Sequence, residues 1–270
     1  MTYDARERSA QDGQPIELYT FARDTLRWRY TSADRQVTAA SATFAPSPIA
    51  RSRIESSQQL SRATITITAP RELEIAEMHR VVAPSTPITV LVQQIHAGDS
   101  EVATIWSGRV VAVDFAGPEA RITCEPIFTS IKRLGLRRVY QRSCPHVLYG
   151  SACGVSRTAY QAAGTVASVS GLQVNVAAAA AQPDGYFAGG YLQFELAPSI
   201  FERRFISGHV GDALTVAALP QGLAAGTPVT LFPGCDHTLA TCSGKFSNTA
   251  NYGGFPFMPT KNPFGGDPIY

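Results

Sequence analysis

Four of the five cysteines in this chain of 270 residues stand in two pairs. Cys144 and Cys153 enclose eight residues in "SCPHVLYGSACGV", and Cys235 and Cys242 enclose six in "PGCDHTLATCSGKF". The pairs lie 81 residues apart, and Cys124 stands alone. Thiolate sulfur is a soft ligand suited to zinc, Cu(I) and iron–sulfur clusters. Four thiolates satisfy a tetrahedral zinc or a [4Fe–4S] cube. Structural zinc knuckles usually place two to four residues between paired ligands. Spacers of eight and six are wide for a knuckle and fit better around a larger object. The same residues also read as two local disulfides or as unrelated buried thiols. Cys124 lies in "RITCEPIF" on the strand face of Ile122 and reads as a small core hydrophobe.

Residues beside the pairs bear on the same chemistry. Pro145, Gly154 and Gly234 adjoin cysteines and fit turns that aim N–H groups at sulfur, an arrangement that tunes clusters. His146 and His237 each follow a cysteine by two positions. They read as donors around a site or as surface residues rather than as ligands. A Cys144–His146 nucleophile–base dyad is disfavoured, because a nucleophilic cysteine normally takes its base from elsewhere in the fold. No GxxxxGK, GxSxG, HExxH or GxGxxG pattern is present, and the carboxylates form no recognisable acid–base set.

The elements that must position these cysteines read as β-structure. "RATITIT" alternates, with Ile65 and Ile67 on one face and threonines on the other. "TPITVLVQQI" places Ile88, Val90 and Val92 together, and "ATIWSGRVVAVDF" and "ARITCEPIF" continue the pattern. Only "PRELEIAEMHRVV" reads as helix, for about three turns with a stripe of Leu73, Ala76 and Val81. After the first cysteine segment, "GTVASVSGLQVNV", "GGYLQFEL", "RRFISGHVGDALTVAAL" and "GTPVTLFPG" predict five or six short strands in a compact barrel or sandwich. The closing stretch "SGKFSNTANYGGFPFMPTKNPFGGDPIY" is too rich in Gly and Pro for regular structure. It is also too aromatic for a solvated linker, which predicts an arm that docks.

Composition sets the remaining bounds. Charged residues make up only 16% of the chain, a thin coat that points to surface covered by partners. The net charge of +2 is too small to argue for nucleic-acid specificity or an anionic membrane. No run reaches the roughly 18 apolar residues of a membrane span. The polar start "MTYDARERSAQDGQPIELYTF" has no apolar signal region, so folding in a cytosol is expected. Paired cysteines there more often hold metal or do chemistry than form disulfides.

The cysteine order, together with "ELYTF", "PSPIARSRIESS", "WSGRVVAV", "CPHVLYGSACGV" and "PGCDHTLATCSGKFSNTANYGGFPFMP", resembles the tail-tip (baseplate hub) proteins of long-tailed bacteriophages and gene transfer agents. That resemblance implies a [4Fe–4S] cluster on Cys144, Cys153, Cys235 and Cys242, with a zinc site on the same four cysteines as the alternative. It implies a mainly β chain. Hub-type β-barrel domains would span 1–135 and the first cysteine segment 136–164. An inserted small β-barrel or sandwich would span 165–232, and the second cysteine segment with an extended arm 233–270. The resemblance departs from the lambdoid pattern, where the pairs lie close in sequence, and is nearer the gene-transfer-agent arrangement. It further implies a non-enzymatic homotrimer at the virion's tail tip, assembled in the host cytoplasm. Its partners would be a distal tail protein ring, a central fibre or receptor-binding hub protein, and the tape-measure protein. A tail-borne cell-wall hydrolase and a glycan-binding module are the rival readings.

Overall fold

The computed structural model describes residues 3–11, 13–55, 63–132, 135 and 139–259. The chain divides into two compact units, 1–133 and 134–270.

The first unit contains α1 (Tyr3–Glu7), β1 (Pro15–Arg23), β2 (Leu26–Thr31), β3 (Val37–Ala39), β4 (Ala42–Pro46), β5 (Ala50–Arg51) and β6 (Ile65–Pro70). It continues with α2 (Glu74–Glu77), β7 (Thr89–His96), β8 (Ala103–Ala116) and β9 (Glu119–Pro126). Its strands form one nine-stranded sheet in the order β3-β4-β2-β1-β7-β8-β9-β6-β5. Neighbours are antiparallel except the parallel pair β2–β4, so the sheet is mixed. Barrel domains are the expectation for this region. Among the described residues the outermost strands, β3 and β5, do not pair, and the closed barrel lies in the second unit. Pro46 and Pro48 flank the chain into β5 and lack the N–H a longer ladder needs.

Alternation decides which side chains enter the core. In β6, Ile65, Ile67 and Ala69 are buried while the intervening residues are half-exposed. Ile67 faces Ile122 across the ladder, and Ile65 faces Cys124. Ile88, Val90 and Val92 are buried in the same core. Cys124 is fully enclosed, and burial pushes its thiol up to about 12.

The helix expected after β6 is only one turn long, Glu74–Glu77. Leu73 and Ala76 are buried as the stripe requires, whereas Val81 is 52% exposed. The amides of His79 and Arg80 bond three residues back, to Ala76 and Glu77, so the helix tightens into turns. Two β-branched valines and Pro84 follow, and the residue before a proline avoids helical backbone.

The second unit holds α3 (Arg157–Tyr160), β10 (Ala162–Ser170), β11 (Gln173–Val176), β12 (Tyr191–Ala197), β13 (Ile200–Val210), β14 (Ala213–Val216), β15 (Pro228–Phe232) and α4 (Leu239–Gly244). The six strands close a barrel in the order β10-β11-β14-β13-β12-β15. Closure runs through Ala162–Leu231 and Gly164–Val229. A Cβ on Gly164 would lie 2.7 Å from Val176, so glycine lets the wall close. Gly171, at φ +57°, makes the tight turn between β10 and β11. Valines, leucines and Phe194 fill the interior. One buried ion pair, Glu202–Arg204 at 2.8 Å, is completed by the Leu219 carbonyl, which accepts from Arg204 Nε at 3.2 Å. Beyond α4 one 3-10 turn, Thr249–Asn251, interrupts otherwise irregular chain up to residue 259, and the distal arm with Phe264 and Tyr270 lies outside the described residues.

The enclosed thiol of Cys124 gives a pH signature. The unfolded chain ionises this group near 9.0 and the folded chain only near 12, so stability is lost as pH rises through that window. Urea melts at pH 8 and pH 10 should show Cys124→Ala losing less stability than the unaltered chain, by ~1.4 kcal/mol. Equal losses would remove the argument.

Candidate functional site

The cysteine pairs are brought together by two features of the second unit, a backbone contact and a ring cluster. At the end of β15 the chain passes the segment before β12 with no room for side chains. A Cβ on Gly190 would lie 2.0 Å from the Phe232 carbonyl oxygen, and one on Gly234 would lie 2.0 Å from that of Ala188. Cys235 therefore leaves the barrel from a fixed point. Tyr149, midway through the first cysteine segment, donates its hydroxyl to the Pro233 carbonyl at 2.7 Å. Its ring sits edge-on to Phe232 and Phe246. Tyr160 donates to the Phe246 carbonyl at 3.0 Å.

The sulfurs then acquire neighbours from both segments. The Cys144 amide donates to the His237 carbonyl at 2.9 Å. The Gly253 amide faces Cys144 Sγ at 3.4 Å, and the His237 amide faces Cys235 Sγ at 3.3 Å. Asn248 Nδ2 lies 2.6 Å from the Cys153 carbonyl oxygen and 3.9 Å from Cys153 Sγ. Cys242 sits in α4, capped by Thr238, and its thiol donates to the Asn248 carbonyl at 3.2 Å. That last bond exists only while Cys242 keeps its proton.

All five cysteines are free thiols, and Cys242 is buried while the other three paired cysteines are half-buried. Burial raises the Cys235 thiol above its ordinary range; the His237 amide opposes this, while Asp236, Cys153 and Cys144 add to it. Burial likewise raises Cys242, with Cys235, Cys144 and Cys153 adding repulsion. Each member of the second pair thus feels both members of the first. Among the described residues no three His, Cys, Asp or Glu side chains close on one ion. Thiols gathered from two segments suit a soft ligand, and N–H groups on sulfur suit iron–sulfur chemistry.

Residues 17–156 match the family described as "Baseplate hub protein, N-terminal attachment domain", just over half of the chain. The chain belongs to that baseplate hub family. Residues 185–262 match a second family, described as "Phage conserved hypothetical protein BR0599". Each match contains one cysteine pair. An uncharacterised protein of Xylella fastidiosa (strain 9a5c) is 27% identical over 182 residues. That alignment covers 62% of this chain but only 38% of the relative. A chain from the virion of a native gene transfer agent particle shares the fold, with a TM-score of 0.81 and 19% identity. The overlap covers 96% of this hub protein and 93% of the other chain.

The expected turn donors are displaced in the hub protein. Pro145 has no N–H to give, and sulfur-facing amides come from Gly253 and His237 instead. His237, at φ +64°, acts here through its main chain, which also accepts from the Tyr252 hydroxyl at 3.2 Å. The His146 ring lies where a Cβ on Gly253 would be, 2.3 Å from its Nε2. Both histidines line one cleft of about 370 Å³.

The arm docks where it leaves α4. Phe246 is buried, Tyr252 donates to the Arg142 carbonyl at 2.7 Å, and the Phe255 amide donates to the Gln141 carbonyl at 2.8 Å. Phe257 is 91% exposed. Sequence reasoning passed over Lys245, whose ammonium donates to the carbonyls of Gly234, at 2.7 Å, and Tyr186. It also lies 4.2 Å from the Tyr186 ring centroid. Desolvation lowers its pKa, opposed by the nearby Cys235 and Asp236. The doublets Gly189–Gly190 and Gly253–Gly254 were the available signal for these close approaches.

The backbone contact is testable. Gly234→Ala should unfold the junction, lowering the unit's stability by about 3 kcal/mol or more, because carbonyls rather than flexible side chains occupy the space. Gly244→Ala, where a Cβ meets nothing, should be neutral or stabilising. Thermal melts of the two variants should differ accordingly.

Proposed function

We propose that this chain is a structural hub of a tailed bacteriophage or phage-like particle, and that Cys144, Cys153, Cys235 and Cys242 hold a [4Fe–4S] cluster. The hub closes the distal end of the tail tube. It assembles as a homotrimer on a distal tail protein ring, carries the central fibre or receptor-binding protein, and meets the tape-measure protein from above. Its place is the virion's tail tip, reached by assembly in the host cytoplasm, and its role is non-catalytic. Membership of the baseplate hub family supports the setting.

The observation that carries the cluster reading is that the two cysteine segments are bonded to each other within one unit: the Cys144 amide donates to the His237 carbonyl at 2.9 Å, the Gly253 amide faces Cys144 Sγ at 3.4 Å, and Asn248 Nδ2 lies 2.6 Å from the Cys153 carbonyl oxygen. The wide spacers within each pair favour an object larger than a single zinc. When bound, the cluster supplies four iron–thiolate bonds and a one-electron couple. The chain's own part is to hold the thiolates, donate N–H to sulfur at Gly253 and His237, and fix the strand exit at Gly234. Binding energy at such a site becomes folding energy, because the unfolded chain holds the two pairs apart.

Anaerobically purified protein should contain ~4 Fe per chain and show a broad thiolate-to-iron absorption band. Single Ser substitutions at the four paired cysteines should each lose the iron, while Cys124→Ser keeps it. A colourless preparation with stoichiometric zinc would replace the cluster by a four-thiolate zinc site. Iron retained in two or more of the four variants would overturn the ligand set. Electron microscopy of tagged particles should find the chain at the distal tip; density along the tube would overturn the hub assignment.

A further inference from the structure

Asn248 touches both cysteine pairs, as the main chain of His237 does, but it reaches the first pair through its side chain. Its amide donates to the Cys242 carbonyl at 3.0 Å, a bond that holds whether Cys242 is a thiol or a thiolate, whereas the 3.2 Å bond from the Cys242 thiol to the Asn248 carbonyl is lost when the sulfur ligates. Its side chain reaches back 95 positions to Cys153, with Nδ2 2.6 Å from the carbonyl oxygen and 3.9 Å from Sγ. Chemistry fixes the orientation of that side-chain amide. Nδ2 faces a carbonyl, which only a donor tolerates, and Oδ1 accepts from Asn251 Nδ2 at 2.7 Å. Asn251 is itself set against Gly154, where a Cβ would lie 3.3 Å from Asn251 Nδ2. Ser247, at φ +48°, makes the left-handed turn that delivers Asn248 to this position.

We propose that Asn248 is a positioning residue that locks the first cysteine pair to the second and, resting on the cluster reading above, sets the reduction potential through donation to Cys153. Aspartate has almost the same shape but would turn a carboxylate oxygen toward the Cys153 carbonyl and sulfur. The other N–H groups facing sulfur, at Gly253 and His237, are main-chain, so no substitution removes them cleanly. Asn248 supplies its donor from a side chain, which makes this contact separable. An N–H on a cluster thiolate favours the more negative, reduced state, so losing it lowers the potential. Asn251 acts through Asn248 by holding Oδ1, and its loss frees the amide to rotate.

The test uses the full chain, purified and reconstituted anaerobically with iron and sulfide. Asn248→Ala, Asn248→Asp and Asn251→Ala are compared with the unaltered chain by iron content and by potentiometric titration with dithionite as reductant. Asn248→Ala is expected to show an about tenfold lower ratio of reduced to oxidised cluster at fixed ambient potential, a shift of about 59 mV. Asn248→Asp shifts further in the same direction, and Asn251→Ala shifts less. A merely structural role would change iron retention or melting temperature and leave the potential of the retained cluster where it was. Unchanged potentials in Asn251→Ala and in whichever Asn248 variant keeps its iron overturn the proposal while the cluster reading stands. Failure of the unaltered chain to take up iron overturns the cluster reading itself.

Discussion

Two main chains meet at Gly190 and Gly234 at a distance that admits no side chain on either. Much of the second unit's chemistry hangs from this contact. It fixes where β15 ends, and Cys235 lies just beyond. The carbonyl of Gly234 then receives the Lys245 ammonium, which draws the segment after α4 back toward the barrel. Phe246 follows and packs against Tyr149 and Tyr160, which belong to the first cysteine segment and its continuation into α3. A rigid barrel thus exports one fixed point, and both cysteine segments are positioned relative to it. Loop residues held by a rigid scaffold commonly carry function for this reason.

Placing the second cysteine pair within electrostatic reach of the first has a consequence. Burial raises the Cys235 and Cys242 thiols above their ordinary range, and the charges of the other cysteines add to it. The chain meets this with main-chain dipoles and one cation. Main-chain amides at Gly253 and His237 face two of the sulfurs. Lys245 supplies a partly desolvated cation near Cys235.

Much of the fold was legible in the sequence. The alternation at Ile65 and Ile67, the run Ile88, Val90, Val92, and the strand segments of the barrel all carry period-2 burial that survives in the structure. The helix after β6 is shorter than its apolar stripe predicts, because the stripe extends into Val81, where β-branching and Pro84 end helical backbone. α4 is hidden for the opposite reason. It is six residues long, with Ser and Gly at its end and no apolar stripe, and its start is marked only by the Thr238 cap. At the site, cysteine types and spacing were visible, but sulfur-facing amides are not, because every residue except proline has one. Asn248 was hidden in "KFSNTANY", where nothing local distinguishes it from Asn251 or from ordinary turn asparagines.

The first unit's sheet ends in a three-residue strand on one side and a two-residue strand on the other. Long, flat outer strands invite a foreign chain to add itself by main-chain pairing, and natural sheets shorten them to prevent it. Here the central strands are long, β8 reaching 14 residues, but the outermost ones present only a turn's length of free ladder. A chain that added itself at β3 or β5 would find only this short ladder to pair with. Short outer strands of this kind lower the tendency of a sheet to zipper onto its own copies.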